Sequence, residues 1–121
     1  MLGGICLKDV SKKITYRDKE YSLVFNINVM EEIQSEFGSI EKWGQLSDPA
    51  NGEPNVKALK FGLAAMLNEG IDMDNEKNGT DVQPLTLKQV GRIISEIGMD
   101  KTANALNNTV VESTKSIEKN A

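Results

Sequence analysis

Three glutamates on one predicted helix, Glu31, Glu32 and Glu36, are the residues whose type and spacing could support acid–base chemistry. A pair of carboxylates acts as general acid and general base when a pocket raises the pKa of one of them. These glutamates lie away from the apolar positions of their helix, so we expect them to face water. They therefore predict a solvated helix surface and no catalytic site.

Residues 71–84 are rich in carboxylates, which invites a calcium site. With Asp74 as the first ligand, the position of the bidentate glutamate in a calcium-binding loop falls on Leu85. With Asp72 as the first ligand, Lys77 stands where that loop needs a glycine. Because both alignments break the coordination pattern, we expect a flexible, solvated loop and no bound metal.

The composition excludes several kinds of chemistry. The chain has no histidine and one cysteine, Cys6, so a Ser-His-Asp triad, a Cys-His pair and an intrachain disulfide are impossible. No glycine-rich phosphate-binding motif is present in the sequence. The formal net charge is −4, with 14 basic residues spread among 18 acidic ones, which disfavours nucleic acid as the main partner. We expect a protein that is not an enzyme and has no catalytic residues and no cofactor.

The sequence also carries information about location. Apolar runs are too short to cross a bilayer, and the first residues lack the basic and apolar regions of a signal peptide. Cys6 lies in an apolar run, where we interpret it as a small hydrophobic side chain. We expect a soluble, cytoplasmic protein with no membrane partner.

A β-hairpin is predicted at about residues 12–26, where apolar and polar residues alternate. A tight turn at Asp18 and Lys19 would place Arg17 opposite Glu20. The predicted pairing puts one set of apolar side chains on the same face of the hairpin: Ile14, Tyr16, Tyr21, Leu23 and Phe25.

The spacing then changes to that of an amphipathic helix, which ends at Gly38. One or two further helical turns are expected to carry Trp43 into the core, on a stripe shared with Ile40 and Leu46. If Trp43 were exposed instead, it would be a natural anchor for a partner. The stripe of the first helix consists of Ile27, Met30, Ile33 and Phe37.

Three more helices follow in the prediction. One spans about residues 55–68 and ends at Gly70, with a stripe formed by Val56, Leu59, Leu63 and Met66 or Leu67. The next opens with a capping box between Thr86 and Gln89 and ends at Gly98, and the last begins near Asp100, which is expected to be its N-cap. The predicted fold is a single α+β domain over residues 1–121, mostly α. It has an N-terminal hairpin, a bundle of about four amphipathic helices over about 27–118, and a flexible loop at about 71–84.

Two parts of the helical region are candidates for interaction. Small residues at Ala58, Gly62 and Ala65 let another helix approach closely, and packing within the same chain is favoured over contact with another molecule. The apolar stripe of the last helix thins after Val111. Its C-terminal segment is therefore either frayed or completes its packing on a partner.

Four segments in order resemble the tail assembly chaperones of long-tailed phages and prophages of Gram-positive bacteria. They are the hairpin ITYRDKEYSLVFN, the helix NINVMEEIQSEFGSIEKW, the helix VKALKFGLAAMLNEG with a polar loop after it, and PLTLKQVGRIISEIG before a closing helix. Together they cover most of the chain, about residues 14–111. Asp18 replaces the usual turn glycine, which is a small departure because aspartate tolerates turn conformations.

The resemblance implies a mostly helical fold with a small β-hairpin and a role without catalysis. Such chaperones bind the tape measure protein, help to recruit tail tube subunits and are absent from the mature virion, so their place is the host bacterial cytoplasm. Self-association is a further expectation, because several copies are needed to shield a long client. As a hypothesis, the contact surface for the client comprises Ala58, Gly62, Ala65, Leu106, Val110 and Ile117.

Two other functions stay open from the sequence. A phage structural adaptor, either a head–tail connector or a tube-associated protein, shares the small acidic α+β profile but stays in the particle. A helix-turn-helix regulator would present Lys101, Asn104, Asn107 and Asn108 to DNA bases. The acidic net charge and the lack of a basic flank make the regulator the weaker alternative.

Overall fold

The computed structural model describes the backbone of residues 12–120 and the side chains of residues 13–115. Cys6 lies outside the described residues. The elements are β1 (Lys12–Tyr16), β2 (Lys19–Leu23), α1 (Ile27–Phe37), α2 (Ile40–Ser47), a short 3-10 turn (Pro49–Asn51), α3 (Val56–Asn78), α4 (Leu87–Ile97) and α5 (Met99–Asn120). The predicted fold class, mostly α with an N-terminal β-hairpin, is confirmed.

The hairpin turns one residue earlier than predicted. Tyr16 pairs with Lys19, and the two turn residues are Arg17 and Asp18, with φ of 50° and 65°. A two-residue turn with both φ values positive matches the right-handed twist of the strands, and Asp tolerates this conformation better than most residues. The predicted faces are nevertheless retained, because Ile14 now pairs with Tyr21 and both remain on the inner face.

Helix α1 is capped by Asn26, whose side chain accepts a hydrogen bond from the backbone N–H of Val29 (3.2 Å). It ends at Gly38 as predicted, with φ of 93°. Its buried residues are Val29 and Ile33, whereas Ile27 is 62% exposed. The predicted stripe was therefore wrong at Ile27, because α1 is rotated so that its inner edge runs through Val29.

Helix α2 buries Trp43 to 2% exposure, which confirms the prediction of a core tryptophan. Its indole N–H donates to the carbonyl oxygen of Ala58 on α3 (2.9 Å), so the one polar atom of the ring is satisfied. Leu46 was predicted on the same stripe but is exposed, and Ser47 takes the buried position. The Ser47 hydroxyl donates to the carbonyl oxygen of Trp43 (3.0 Å).

Helix α3 is the centre of the fold and packs against β2, α1, α2, α4 and α5. The prediction that it ends at Gly70 was wrong, because it continues to Asn78 and stops at Gly79 (φ 66°). Gly70 serves a different purpose, since a Cβ there would lie 2.7 Å from the backbone oxygen of Ser22 on β2. The predicted flexible loop at 71–84 is accordingly helical over residues 71–78. The helix buries Leu59, Leu63, Met66 and Leu67, while Val56 at its start is 53% exposed.

Helices α4 and α5 follow each other with Gly98 alone between them. The predicted capping box is confirmed: Gln89 N donates to Thr86 Oγ1 (3.1 Å), and Thr86 N donates to Gln89 Oε1 (2.8 Å). The prediction of Asp100 as the cap of α5 was wrong, because α5 begins at Met99 and Thr102 N already donates to the Gly98 carbonyl oxygen (3.0 Å).

Candidate protein-binding groove

Two residues of the predicted small face of α3, Ala58 and Gly62, are covered from within the chain. The Trp43 ring lies over Gly62, where an added Cβ would come within 2.9 Å of the ring atom Cε2. Ala58 is fully buried, and its carbonyl oxygen accepts the Trp43 indole N–H. The small residues therefore serve close packing between α2 and α3, as the preference for packing within the chain predicted.

The other predicted contact residues are dispersed. Leu106 is buried in the core and Val110 is half-buried against it. Ala65 is mostly buried but borders an open groove. Ile117 belongs to α5, and its side chain lies outside the described residues. A client could reach Ala58, Gly62 and Leu106 only after a rearrangement of the fold.

An open groove of about 590 Å³ runs along the exposed side of α3. Helix α3 supplies its floor, Glu32 of α1 borders one side, and the segment that returns from α3 to α4 borders the other. The lining residues are Glu32, Phe61, Ala64, Ala65, Asn68, Glu69, Ile71, Asp72, Asn75, Asp81, Val82, Gln83, Pro84 and Leu87.

Two asparagines of α3 hold the return segment, residues 79–86, against the helix. Asn68 receives a hydrogen bond from Leu85 N (2.8 Å) and donates to the Leu85 carbonyl oxygen (3.1 Å). Asn75 makes the same pair of bonds with Val82 N (2.9 Å) and its carbonyl oxygen (3.0 Å). In both cases one side-chain amide bonds to the N–H and to the carbonyl oxygen of the same residue. A neighbouring β-strand would otherwise supply these two hydrogen bonds.

The spacing of these contacts follows from helix and strand geometry. Asn68 and Asn75 are seven residues apart, about 10.5 Å along a helix. Val82 and Leu85 are three residues apart, about 10 Å along an extended chain. The return segment therefore runs antiparallel to α3 in near register, and it forms a fixed wall of the groove.

The groove is acidic. Its lining includes four carboxylates, and none of the described residues that line it is a lysine or an arginine. Partial burial raises the pKa of Glu32 above its ordinary value of 4.5, and the negative charges of Glu69 and Glu31 add to the increase. Glu69 is itself fixed, because Asn26 Nδ2 and Asn28 Nδ2 both donate to its Oε2 (2.8 and 3.1 Å).

A second surface carries the opposite charge. Arg17, Lys60, Lys88 and Arg92 border a shallow depression near Tyr16, where β1, α3 and α4 come together. The Arg17 guanidinium lies 5.3 Å from the centre of the Tyr16 ring, within range of a cation–π interaction. The charges that sum to a net −4 are therefore unevenly distributed, with an acidic groove and a separate basic surface.

The three glutamates of α1 that the sequence analysis considered do not form one cluster. Glu32 lines the groove, whereas Glu36 forms an ion pair with Lys57 (3.1 Å) and Glu31 is exposed. Over the described residues, no group of three or more Cys, Asp or Glu side chains is placed to hold a metal ion. None of the helices that the structure describes is both long enough and apolar enough to cross a membrane.

The structure defines a mostly helical α+β protein with an open acidic groove along α3. Comparison with protein family models, curated proteins and solved structures finds no match. Sequence reasoning missed Asn68 and Asn75 as structural residues. Their spacing of seven was a usable signal, because positions seven apart share a helix face, but it required α3 to continue through Gly70.

Proposed function

We propose that this chain is a tail assembly chaperone of a long-tailed phage or prophage. It acts without catalysis in the host bacterial cytoplasm, where it binds the tape measure protein and helps to recruit tail tube subunits. The observation that carries the proposal is the open groove along α3, whose lining mixes apolar side chains with carboxylates and amides and could receive a helical client.

The order of elements supports the same proposal. The hairpin, α1 with α2, the long α3 with its return segment, α4 and the closing α5 occur in the order of the four segments that carry the resemblance. The groove lies where α3, the return segment and the start of α4 meet. The variable polar stretch of the resemblance thus contributes directly to the candidate binding surface.

The geometry disfavours one of the two rival functions, the DNA-binding regulator. A helix-turn-helix regulator needs a turn of three or four residues between its two helices, whereas Gly98 alone joins α4 to α5. Lys101, Asn104, Asn107 and Asn108 are exposed on α5, but the basic surface lies on β1, α3 and α4. A structural adaptor is compatible with the fold and differs from a chaperone in remaining in the particle.

The test is affinity purification of the tagged chain from a lysate of the phage-producing host, with mass spectrometry of the purified virions in parallel. We expect to recover a very long, helix-rich phage protein and the tube subunit, and to find the chain absent from virions. Recovery of portal or neck proteins, with the chain present in virions, would replace the chaperone by the adaptor. Retention on random duplex DNA at physiological salt would instead favour the regulator.

A further inference from the structure

We propose that the groove along α3 binds a single amphipathic α-helix whose apolar stripe is flanked by lysine or arginine. The inference deepens the proposed function and rests on it for the origin of this helix in the client. Three features of the groove determine the type of sequence that it can bind: its length, the apolar side chains exposed along it, and its carboxylates.

The groove has the dimensions of a helix-binding site. Its floor follows one face of α3 from Phe61 through Asn68 to Asn75. These fifteen residues span about 21 Å, which is close to four helical turns. Because the return segment already engages Asn68 and Asn75, the bound helix lies beside that segment and contacts Phe61 and Ala65, at the interaxial distance of about 8–10 Å that is usual for packed helices.

The walls provide apolar contacts to such a helix. Val82 and Leu87 are 53% and 54% exposed, and both line the groove. Phe61 is half-buried at one end of the floor, where Phe37 holds its ring edge-to-face at a centroid distance of 5.5 Å. Because α3 and the tethered return segment are both held in place, the apolar surface is formed before a partner arrives, which limits the ordering cost of binding.

The charges determine which helix fits. Glu32, Glu69, Asp72 and Asp81 lie along the groove, and the ion pairs found among the described side chains engage Glu20 and Glu36 instead. Lysine or arginine beside the apolar stripe of the partner would offset this negative charge, whereas glutamate or aspartate would be repelled. The four carboxylates therefore select against acidic helices and towards basic ones.

The direct test uses the full chain and two fluorescent 18-residue peptides with the same leucine stripe, one flanked by lysine and the other by glutamate. We expect the lysine peptide to bind at least about tenfold more tightly at low salt, and its advantage to fall as salt screens the carboxylates. Equal affinity of the two peptides, or failure of both to bind, would overturn the inference.

Charge variants locate the binding site. Asp72→Lys combined with Asp81→Lys should weaken binding of the lysine peptide by about tenfold, since two attractive contacts with exposed carboxylates become repulsive. The matched control is Glu41→Lys with Glu76→Lys, which makes the same change in net charge at exposed residues that do not line the groove. An equal effect of both double variants would mean that net charge, and not the groove, attracts the peptide.

Apolar variants test the walls separately. Val82→Ser with Leu87→Ser should abolish most of the binding, whereas Ile27→Ser with Val56→Ser, at exposed apolar sites outside the groove, should leave it within about twofold. Circular dichroism of each variant checks that the fold is retained. Concentration-dependent self-association that the groove variants abolish would assign the groove to a second copy of the chain and overturn the inference.

The outcomes distinguish this inference from the proposed function. If the lysine peptide binds selectively but no tape measure protein is recovered from the lysate, the groove remains a binding site for a basic helix and the chaperone function is overturned. Recovery of the tape measure protein that is unaffected by the groove variants would keep the function and overturn the groove as its binding site.

Discussion

At the scale of single residues, Gly62 and Trp43 make a contact that leaves no room for another atom. The indole occupies the place where a side chain at position 62 would stand. The same ring donates a hydrogen bond to the Ala58 carbonyl oxygen, so its position is fixed by both shape and polarity. Glycine is needed here for close approach, in a helix where its conformational freedom is otherwise unfavourable.

Replacement of Gly62 by alanine should therefore destabilise the fold. Despite the better helix propensity of alanine, we expect a loss of about 1–3 kcal/mol, the usual range for overpacking a core. The control is Gly44→Ala in α2, where no atom lies within 4 Å of an added Cβ, and a gain of about 0.5–1 kcal/mol is expected. Urea unfolding followed by Trp43 fluorescence measures both, and a stabilised Gly62→Ala would contradict the packing described.

Glu32 predicts a pH dependence whose sign follows from its raised pKa. Because the folded state binds the proton more tightly than the unfolded state, this glutamate contributes stability below its ordinary pKa of 4.5. That contribution is lost as the pH rises through the higher pKa of the folded state. Glu32→Gln should consequently be more stable than the wild type at pH 7, by a margin that shrinks as the pH falls towards 4.5.

The measurement is the urea midpoint of wild type and variant at several pH values. Glu41→Gln on α2 is a suitable control, since it removes the same charge from an exposed position outside the groove. If both variants shift the midpoint equally at every pH, the effect belongs to net charge and not to the surroundings of Glu32.

At the scale of elements, the pairing of α3 with its return segment decides the shape of the groove. The side-chain amides of Asn68 and Asn75 bond to the backbone of Leu85 and Val82, respectively, in a segment that has no regular secondary structure. The segment thus has hydrogen bonds comparable to those of a strand, although it belongs to no sheet. Two asparagine side chains of α3 thus supply hydrogen bonds that hold this segment in place, in addition to the contacts of Thr80 with Asn75 and of Leu85 with the core.

Replacement of Asn68 and Asn75 by alanine should release this segment while the helices remain folded. We expect the amides of Val82 and Leu85 to lose at least about tenfold in hydrogen-exchange protection, and each lost pair of bonds to cost on the order of 1 kcal/mol. Asn78→Ala on the same helix is the control. Unchanged exchange at Val82 and Leu85 would contradict the tether.

Short sequence motifs predicted the ends of helices correctly where the motif itself makes the contact that starts or stops the helix. The Thr86–Gln89 capping box set the start of α4, and Gly38 set the end of α1. Such motifs were misleading where the role of a residue depends on a contact with a distant part of the chain. Gly70 was interpreted as a helix stop because the sequence does not reveal that β2 passes against α3 at that point.

At the scale of the whole molecule, α3 joins the two halves of the fold, because the hairpin, α1 and α2 pack on it together with α4 and α5. The groove could not be predicted from sequence for the same reason. Its residues come from α1, α3, the return segment and α4, and only the packing of these elements brings Glu32 near Asp81 or Leu87. The patterns within each element predicted burial, but they carried no information about how distant elements meet.

The tether between α3 and its return segment has a consequence for evolution. Its hydrogen bonds join the amides of Asn68 and Asn75 to backbone atoms, so they are indifferent to which side chains stand at positions 82 and 85. An insertion or deletion between these positions moves the chain by about 3.3 Å and separates one amide from its partners. A residue added between Thr80 and Asp81 leaves the spacing of the two tethered positions, 82 and 85, unchanged. In descendants of this chain the tether should therefore conserve the number of residues between positions 82 and 85, and insertions or deletions should be found before position 82. The side chains there answer to other demands, since Leu85 packs against the core and Val82 presents an exposed apolar surface.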